Sequence, residues 1–143
     1  MRPSRRPLGL QLALTSKVVS RAFNDVLTEA GGSLSVWLVL SSLKQKHRHT
    51  QLDLARAVGI EGPTLTRHLD SLEQSGLVVR RRDSDDRRAV RVELTDEGER
   101  LHATLLKAVI AFNKRLTADI SEPELERIQR GLAQLEENVR STT

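Results

Sequence analysis

The sequence predicts a mainly α-helical protein with a small β-wing. Two observations lead to this prediction. Apolar residues recur at intervals of three or four over most of the chain, which is the period of helices with one buried face. Between Thr50 and Leu94, two short helical patterns separated by glycine are followed by two stretches with the pattern of a β-hairpin. This order predicts a winged helix-turn-helix with long N- and C-terminal dimerisation helices.

The length and charge of the chain set the first limits. At 143 residues it has room for one domain with one sizeable core. Its net charge of +4 is uneven, because residues 44–91 hold eleven Lys or Arg against seven acids, whereas residues 92–143 hold seven against ten. The asymmetry favours a nucleic-acid-binding face beside a separate pairing region. A charge run is more often only a solvated face, so charge alone does not decide the function.

Several classes of protein are disfavoured. The sequence contains no cysteine, which excludes disulfides and thiol-based redox sensing. The four histidines lack the ligand pattern of a zinc sensor, so we expect no metal and no other cofactor. The chain has no run of about eighteen apolar residues, and its basic N terminus is followed by an amphipathic segment instead of a signal-peptide core. We therefore expect a cytoplasmic, nucleoid-associated protein without a membrane segment.

The N-terminal third predicts a tail and two helices. Residues 1–7, with two prolines and three arginines, predict a flexible basic tail. Residues 8–30 predict a long helix that stops at Gly31-Gly32, and its apolar stripe consists of Leu12, Val19, Ala22, Phe23, Val26 and Ala30. Ser33 can cap a second helix that runs to about Lys46 and is apolar nearly all round, which indicates burial on several sides. Residues 46–49 read as a polar connection.

Two short helices and a turn follow. Thr50 can cap the first of them, with Asp53 three residues on, and Gly59 can end it in the left-handed conformation. Gly62 and Pro63 start the second helix, since proline is tolerated in a first helical turn. The apolar faces consist of Leu54, Ala55 and Val58 in the first helix and Leu65, Leu69 and Leu72 in the second. The opposite face of the second helix is polar, as in a helix that enters the DNA major groove.

A hairpin and two long helices complete the chain. Val78 and Val79 begin one strand, and Val90, Val92 and Leu94 alternate with charged residues in the other. Six arginines fall between Arg80 and Arg91, and they surround a hairpin tip that reads DSDDRR. Thr95 can cap a long helix that carries an apolar stripe, and Ser121 with Glu124 forms a capping box for the last one. The two stripes consist of Leu101, Leu105, Val109, Phe112 and Leu116, and of Leu125, Ile128, Leu132, Leu135 and Val139.

The stretch from Thr50 to Leu94 resembles the MarR family of bacterial transcriptional regulators. The segment Asp83–Gly98, DSDDRRAVRVELTDEG, is close to the most recognisable signature of that family, and Gly59–Leu72, GIEGPTLTRHLDSL, is similar to its SlyA branch. The resemblance implies a single MarR-type domain over residues 8–143, with a winged-helix DNA-binding region at 33–94 and dimerisation helices at 8–30 and 95–140. It also implies a homodimer on a pseudo-palindromic site, with half-sites roughly 10 base pairs apart, whereas the residues alone leave open a compact monomer that hides the apolar stripes.

The function implied by the resemblance is sequence-specific transcription regulation through double-stranded DNA. Such a protein can repress by occluding a promoter, or act as an anti-silencer that competes with nucleoid proteins. Members of the family commonly bind small anionic aromatics, which suggests an aromatic carboxylate or phenolic effector. The residues leave two alternatives, namely an architectural DNA-binding protein with little sequence specificity and a winged helix that contacts another protein. Nothing indicates an enzyme, because nucleophile and phosphate-loop motifs are missing.

The predicted DNA-binding residues lie on the second short helix and on the wing. In the helix they are Pro63, Thr64, Thr66, Arg67, His68 and Ser71, and in the wing they are Arg82, Asp86, Arg87 and Arg88. Arg67 can bond guanine O6 and N7 together, or else contact phosphate or pair with Asp70. Arg87 can enter a minor groove, and Asp86 would orient an arginine. Each of these positions has a plain alternative as helix surface or solvated hairpin tip.

A possible effector site involves five residues of the first two helices. Lys17 and Arg21 are four residues apart on one helix face and can hold a carboxylate, while Ser35, Trp37 and Ser41 can line an adjacent space. The alternatives are that Trp37 is a packing residue and that the two cations are solvated.

Overall fold

The computed structural model describes residues 5–45 and 49–141 and confirms a mainly helical chain with a wing. The elements in chain order are α1 (Leu8–Glu29), α2 (Leu34–Gln45), β1 (His49–Thr50), α3 (Gln51–Val58), α4 (Gly62–Gln74), β2 (Val78–Arg82), β3 (Val90–Leu94), α5 (Asp96–Leu116) and α6 (Glu122–Arg140). The chain divides into two compact units at Val109 and Ile110. Residues 1–4 of the predicted tail and 46–48 of the predicted connection lie outside the described residues.

The turn between α1 and α2 forms as the glycine pair predicts. Gly31 has φ 98°, and its N–H is donated to the Thr28 carbonyl over 3.1 Å, while the Gly32 N–H reaches the Leu27 carbonyl over 2.9 Å. Ser33 Oγ accepts the N–H of Val36 over 3.1 Å, so the predicted cap of α2 is confirmed. The Asn24 side chain of α1 accepts the Leu34 N–H over 2.9 Å, which links α1 to the first residue of α2.

The core of the N-terminal unit is built around α2. Its buried apolar residues are Leu27, Val39, Leu40, Leu43, Leu54, Leu65, Leu69, Leu72, Val78, Val92 and Leu105. Leu27 is the buried residue of α1 and is not part of the predicted stripe. The axes of α1 and α2 differ by 78°, and Phe23, Val26 and Ala30 near the end of α1 are the stripe residues that pack on the core. The earlier turns of α1 stay exposed, because the core lies beside its last turns.

The wing is a β-hairpin, as predicted, but a third strand adds to it. The order of the sheet is β1-β3-β2, and both pairings are antiparallel. In the hairpin, Val78 pairs with Leu94 and Arg82 with Val90. At the short strand β1 the sequence predicts only the end of a polar connection followed by a helix cap. A two-residue strand has no alternating pattern to detect, and its pairing of His49 with Val92 exists only in the folded chain.

The C-terminal unit comprises the last turns of α5 and all of α6. The capping box of α6 is confirmed, because the Ser121 N–H donates to Glu124 Oε2 over 3.0 Å and the Glu124 N–H donates to Ser121 Oγ over 3.4 Å. Within this unit, α6 has no buried residue, and Ile128, Leu132 and Val139 are 47, 46 and 73% exposed. These side chains form an exposed apolar stripe on α6.

Among the described residues, no single helix is long and apolar enough to cross a membrane. The pair α1 and α2 would pass that test together on length and composition, but they are bent by 78° relative to each other.

Candidate nucleic-acid interface

The two short helices are held in place by caps and by one hydrogen bond between them. Thr50 Oγ1 accepts the Asp53 N–H over 3.1 Å, and Gly59, at φ 67°, donates its N–H to the Ala55 carbonyl over 3.0 Å. Both predicted ends of α3 are therefore confirmed. The Gln51 side-chain amide donates to Thr66 Oγ1 over 2.7 Å and joins the start of α3 to α4. No sequence pattern indicates this contact, since Gln51 is an ordinary first-turn residue.

The helix α4 presents a polar face away from the core. Leu65, Leu69 and Leu72 are buried as predicted. Pro63, Arg67 and Ser71 are exposed and follow each other at intervals of four residues, so they share one face of the helix. Thr64, Thr66 and His68 are half-buried and flank that face. The six predicted residues of α4 thus divide into an exposed row and a partly covered border.

Thr66 uses its hydroxyl inside the protein. The hydroxyl donates to the Gly62 carbonyl over 3.0 Å and accepts the Gln51 amide. A hydroxyl has a single hydrogen to donate. Thr66 can therefore offer a ligand its methyl group, whereas a phosphate contact through the hydroxyl would require breaking the bond to Gly62.

The tip of the wing is a turn shaped by two aspartates. Asp83 Oδ1 accepts the Asp85 N–H and Asp86 Oδ1 accepts the Arg88 N–H, both over 3.0 Å. The Asp83 N–H also donates to the Ala89 carbonyl over 2.9 Å and closes the tip. Such side-chain bonds to a backbone two residues on are the reason that aspartate favours turns. The carboxylate of Asp86 is therefore committed to the turn that carries Arg87 and Arg88.

The folded chain brings the wing tip close to the start of α4. A groove of about 630 Å³ is lined by Thr50, Gln51, Leu52, Asp53, Ala55, Gly62, Thr66, Asp86, Arg88, Ala89 and Val90. Residues of the hairpin and of both short helices meet in it. The sequence placed these residues in one region of the chain, but only the structure shows that Arg88 and Thr66 line the same groove.

The arginines of this region divide into two groups. Arg80 pairs with Asp70 over 2.5 Å and with Glu73 over 3.1 Å, whereas Glu93 lies 4.0 Å from Arg81 and 3.7 Å from Arg91. Within residues 5–45 and 49–141, no ion pair is formed by Arg67, Arg82, Arg87 or Arg88. All four are exposed. They are the cations of this surface that remain available for an anionic partner.

The internal pairs change the electrostatics of the helix surface. Hydrogen bonds from Arg80 lower the pKa of the Glu73 carboxyl below its usual value, and the bonds to Glu73 and Asp70 raise the pKa of Arg80. The ion pair that Asp70 forms is with Arg80 and not with Arg67, which was the alternative partner. Arg91 is held beside Glu93, and its buried Nε has no hydrogen-bond partner.

The five predicted effector residues lie on two successive helices of the N-terminal unit. Lys17 and Arg21 are exposed on α1, and Ser35, Trp37 and Ser41 are half-buried on α2. Ser41 Oγ donates to the Leu38 carbonyl over 3.3 Å within its own helix. Neither the groove beside the wing nor a second depression, lined by Asp119, Ile120, Glu124, Arg127 and Ile128, includes any of the five.

Trp37 is stacked on a histidine that no motif in the sequence singles out. The rings of Trp37 and His102 are 5.2 Å apart and inclined by 16°. Burial lowers the pKa of His102, and the nearby charge of Lys44 lowers it further, while Glu99 acts in the opposite direction. Lys44 and Glu99 form an ion pair of 2.6 Å between α2 and α5. Trp37 therefore contributes to the packing of α2 on α5.

Comparison with known proteins gives one family match. Residues 33–90 match the model of the MarR family, and this segment covers α2, α3, α4 and most of the wing. The capped helices and the charged hairpin thus coincide with the matched region.

Solved structures with the same architecture cover nearly the whole chain. A transcriptional repressor, CouR, bound to a 23-mer DNA duplex is 28% identical, with a TM-score of 0.84 over 90% of this chain and 92% of that one. A mutant of MarR from E. coli complexed with operator DNA is 25% identical, with a TM-score of 0.83 over 90% and 93%. The M. tuberculosis regulator MOSR in complex with DNA is 22% identical, with a TM-score of 0.79 over 96% and 98%, and this likeness concerns the fold alone.

Proposed function

We infer that this protein is a MarR-family transcriptional regulator that binds DNA in a sequence-specific manner. The observation that carries this inference is the surface formed by α4 and the wing, where Arg67, Arg82, Arg87 and Arg88 are exposed and make no ion pair within the described residues. The family match over residues 33–90 supports it, as do the DNA-bound structures of CouR and MarR. We treat residues 8–143 as one MarR-type domain in which residues 33–94 form the winged-helix DNA-binding region.

The helix α4 would read bases in the major groove. Its exposed row begins with Pro63 and places Arg67 one turn later, near the N-terminal end that recognition helices direct at base edges. A bidentate contact from Arg67 to guanine would discriminate against other bases by about 1–3 kcal/mol. Thr66, whose hydroxyl is bonded to Gly62 and Gln51, would offer its methyl group to a thymine. Thr64, His68 and Ser71 would border this contact.

The wing would contact the adjacent minor groove. Arg87 lies at the tip of the turn that Asp86 stabilises, and a narrow minor groove attracts an inserted arginine through its negative potential. Arg88, which lines the groove beside α4, and Arg82, which ends β2, would lie nearer the phosphates. In this arrangement Asp86 acts on the shape of the turn and does not face the DNA.

We propose that the functional form is a homodimer built by the terminal helices. In the N-terminal unit, Leu8, Leu10 and Val18 of α1 are 60, 51 and 70% exposed, and the C-terminal unit exposes the apolar stripe of α6. Large exposed apolar patches mark interaction surfaces. Two copies related by a two-fold axis would present two DNA-binding regions to half-sites roughly 10 base pairs apart.

The mass of the assembly in solution tests the dimer. We expect twice the 16.0 kDa protomer for the wild type and one protomer mass for Leu132→Glu, because a charge would interrupt the stripe of α6. Leu52→Glu serves as control, because Leu52 is 61% exposed on α3, which is not one of the proposed dimerisation helices, and should leave the mass unchanged. A wild-type protein that remains a monomer at high concentration would contradict the dimer.

The finer aspects of regulation rest on the family resemblance. We propose repression by promoter occlusion, with relief of silencing as the alternative that the similarity of Gly59–Leu72 to the SlyA branch implies. We also propose that an aromatic carboxylate or phenol modulates DNA binding from the side of Trp37, Ser35 and Ser41, with Lys17 and Arg21 as cations. Such a regulator would act in the cytoplasm on the nucleoid.

The test of the central proposal is a comparison of two DNA duplexes by fluorescence anisotropy. The first duplex is selected from a pool with a random window of about 25 base pairs, enough for two half-sites, and the second is a scrambled version of it. We expect a preference of at least about 10³-fold for the selected duplex at physiological salt. Arg87→Ala should lower the affinity strongly, whereas Arg130→Ala, which removes an exposed arginine from α6, should not.

The other outcomes separate the remaining functions. Equal binding of both duplexes, with a steep fall between about 50 and 200 mM salt, would indicate an architectural protein. Failure to enrich any duplex or to bind DNA at low salt would refute the DNA-binding proposal and favour a wing that contacts protein.

A further inference from the structure

Arg80 is the arginine of the wing that turns back toward α4. It lies in the middle of β2, and its side chain is 21% exposed. Its guanidinium bonds Asp70 Oδ1 over 2.5 Å and Glu73 Oε1 over 3.1 Å, and its Nε lies 3.5 Å from Glu73 Oε2. Asp70 and Glu73 both belong to α4. A single side chain therefore links the strand of the wing to the helix that would read the bases.

The backbone of Arg80 takes part in the same cluster. The strand β2 is at the edge of the sheet, because the order is β1-β3-β2. An edge strand leaves backbone N–H groups without a strand partner. The N–H of Arg80 is donated to Glu73 Oε2 over 3.1 Å, so the helix covers this part of the edge. We call these four hydrogen bonds among Arg80, Asp70 and Glu73 the clasp.

Arg82 offers a comparison within the same strand. Residues two apart in a strand point to the same face of the sheet, so Arg80 and Arg82 share a face. Arg82 is exposed and makes no ion pair within the described ranges 5–45 and 49–141. A phosphate would therefore find Arg82 free, whereas Arg80 is occupied by two carboxylates that would have to be displaced.

We propose that Arg80 is a positioning residue that sets the wing against α4, so that Arg67 and Arg87 engage one DNA site together. This deepens the proposed function and rests on it. Non-specific binding depends mainly on the number of phosphates neutralised, and it tolerates a displaced wing. Sequence-specific binding requires base contacts in register with each other. Loss of the clasp should therefore weaken binding to the selected duplex more than binding to the scrambled one.

Two variants break bonds of the clasp while changing the charge in opposite directions. Arg80→Gln removes the guanidinium and with it one positive charge, and the double variant Asp70→Ala with Glu73→Ala removes both acceptor carboxylates and with them two negative charges. A purely electrostatic role predicts weaker binding to both duplexes in the first variant and stronger binding in the second. A positioning role predicts that the ratio of the two affinities falls in both, by about tenfold, the discrimination of one base contact.

The salt dependence and a matched control distinguish positioning from phosphate contact. Arg82→Gln should lower both affinities by a similar factor and reduce the slope of log affinity against log salt by about one. Arg80→Gln should leave that slope unchanged. A slope reduced by about one in Arg80→Gln, with an unchanged affinity ratio, would overturn the proposal and make Arg80 a phosphate contact.

Hydrogen exchange tests the clasp without DNA. In the free protein, amides of residues 78–94 should exchange faster in both clasp variants than in the wild type, while those of 122–140 serve as an internal reference and stay unchanged. If the wild type shows no sequence preference, the regulator proposal fails, but faster exchange in both variants would still support the clasp. Unchanged exchange together with an unchanged affinity ratio would refute the positioning role of Arg80.

Discussion

Replacing Gly98 with alanine should destabilise the protein, although alanine is the better helix former. Gly98 is buried in the first turn of α5, where the helix begins directly after the wing. A Cβ at this position would lie 2.1 Å from the Leu77 carbonyl oxygen and 3.1 Å from a methyl carbon of Leu94. The nearest atom belongs to the backbone and cannot be moved by rotating a side chain. The start of α5 would therefore have to move away from the turn that precedes β2.

The expected loss follows from the contacts at this junction. Non-bonded carbon contacts are favourable near 3.5–4.0 Å, so the two segments must separate by more than about 1 Å. Overpacking of this kind costs about 1–3 kcal/mol. The same Leu77 carbonyl accepts the Thr95 N–H over 3.1 Å, and loss of that bond adds about 1 kcal/mol. The higher helix propensity of alanine returns about 1 kcal/mol. The free energy of unfolding should fall by about 1–3 kcal/mol.

The assay is urea unfolding at one protomer concentration, with Gly131→Ala as the matched control. Gly131 lies within α6, and nothing is within 4 Å of a Cβ placed there. Gly131→Ala should raise the free energy of unfolding by about 0.5–1 kcal/mol through helix propensity alone. The two identical substitutions should thus act with opposite signs. If Gly98→Ala were as stable as the wild type, the close approach of α5 to Leu77 would be refuted as the reason for glycine.

Three further predictions concern stability. The pKa of His102 is lowered in the folded protein, so the folded state binds the proton less well than the unfolded chain, and the free energy of unfolding should fall as the pH drops from about 7 through the folded pKa. In His102→Gln, the free energy of unfolding measured with urea should lose this dependence on pH. An unchanged dependence would show that His102 is not its cause. Ser121→Ala should destabilise α6 by about 1 kcal/mol through loss of the capping box. Hydrogen exchange in the first turns of α6 should therefore be faster than in the wild type, and equal exchange would mean that the cap does not stabilise this end of the helix. Leu69→Ala, at a fully buried site, should cost about 2–5 kcal/mol, whereas Leu52→Ala, at a site 61% exposed, should cost little; similar losses would contradict the assigned core.

Local signals in the sequence are sufficient for most element boundaries. Thr50, Gly59 and Ser121 are caps or stops whose effect depends on the backbone next to them, and the structure shows each in that role. The short strand β1 has no such signal, because its partner is Val92, some forty residues later. In the same way, Leu27 owes its buried position to the angle between α1 and α2, which helical periodicity does not encode.

The candidate DNA-binding surface is predictable in its residue types but not in its internal pairing. Six arginines in and around a hairpin are enough to indicate an anion-binding wing. Which of them are free depends on where carboxylates lie in the folded chain, such as Glu73 of α4 for Arg80 and Glu93 of β3 for Arg81 and Arg91. The distinction between a cation that binds a ligand and one that braces the fold is therefore a tertiary property.

The sequence by itself determined the succession of helices, the hairpin with its charged tip, and the face of α4 that avoids the core. These follow from periodicity, capping and turn chemistry, which act over a few residues. Only the tertiary structure decided that Arg80 bonds Asp70 and Glu73, that Thr66 bonds Gln51, and that Gly98 lies against the Leu77 carbonyl. Each of these contacts joins elements whose spacing is set by the packing of the core, and no local pattern in the chain records that spacing.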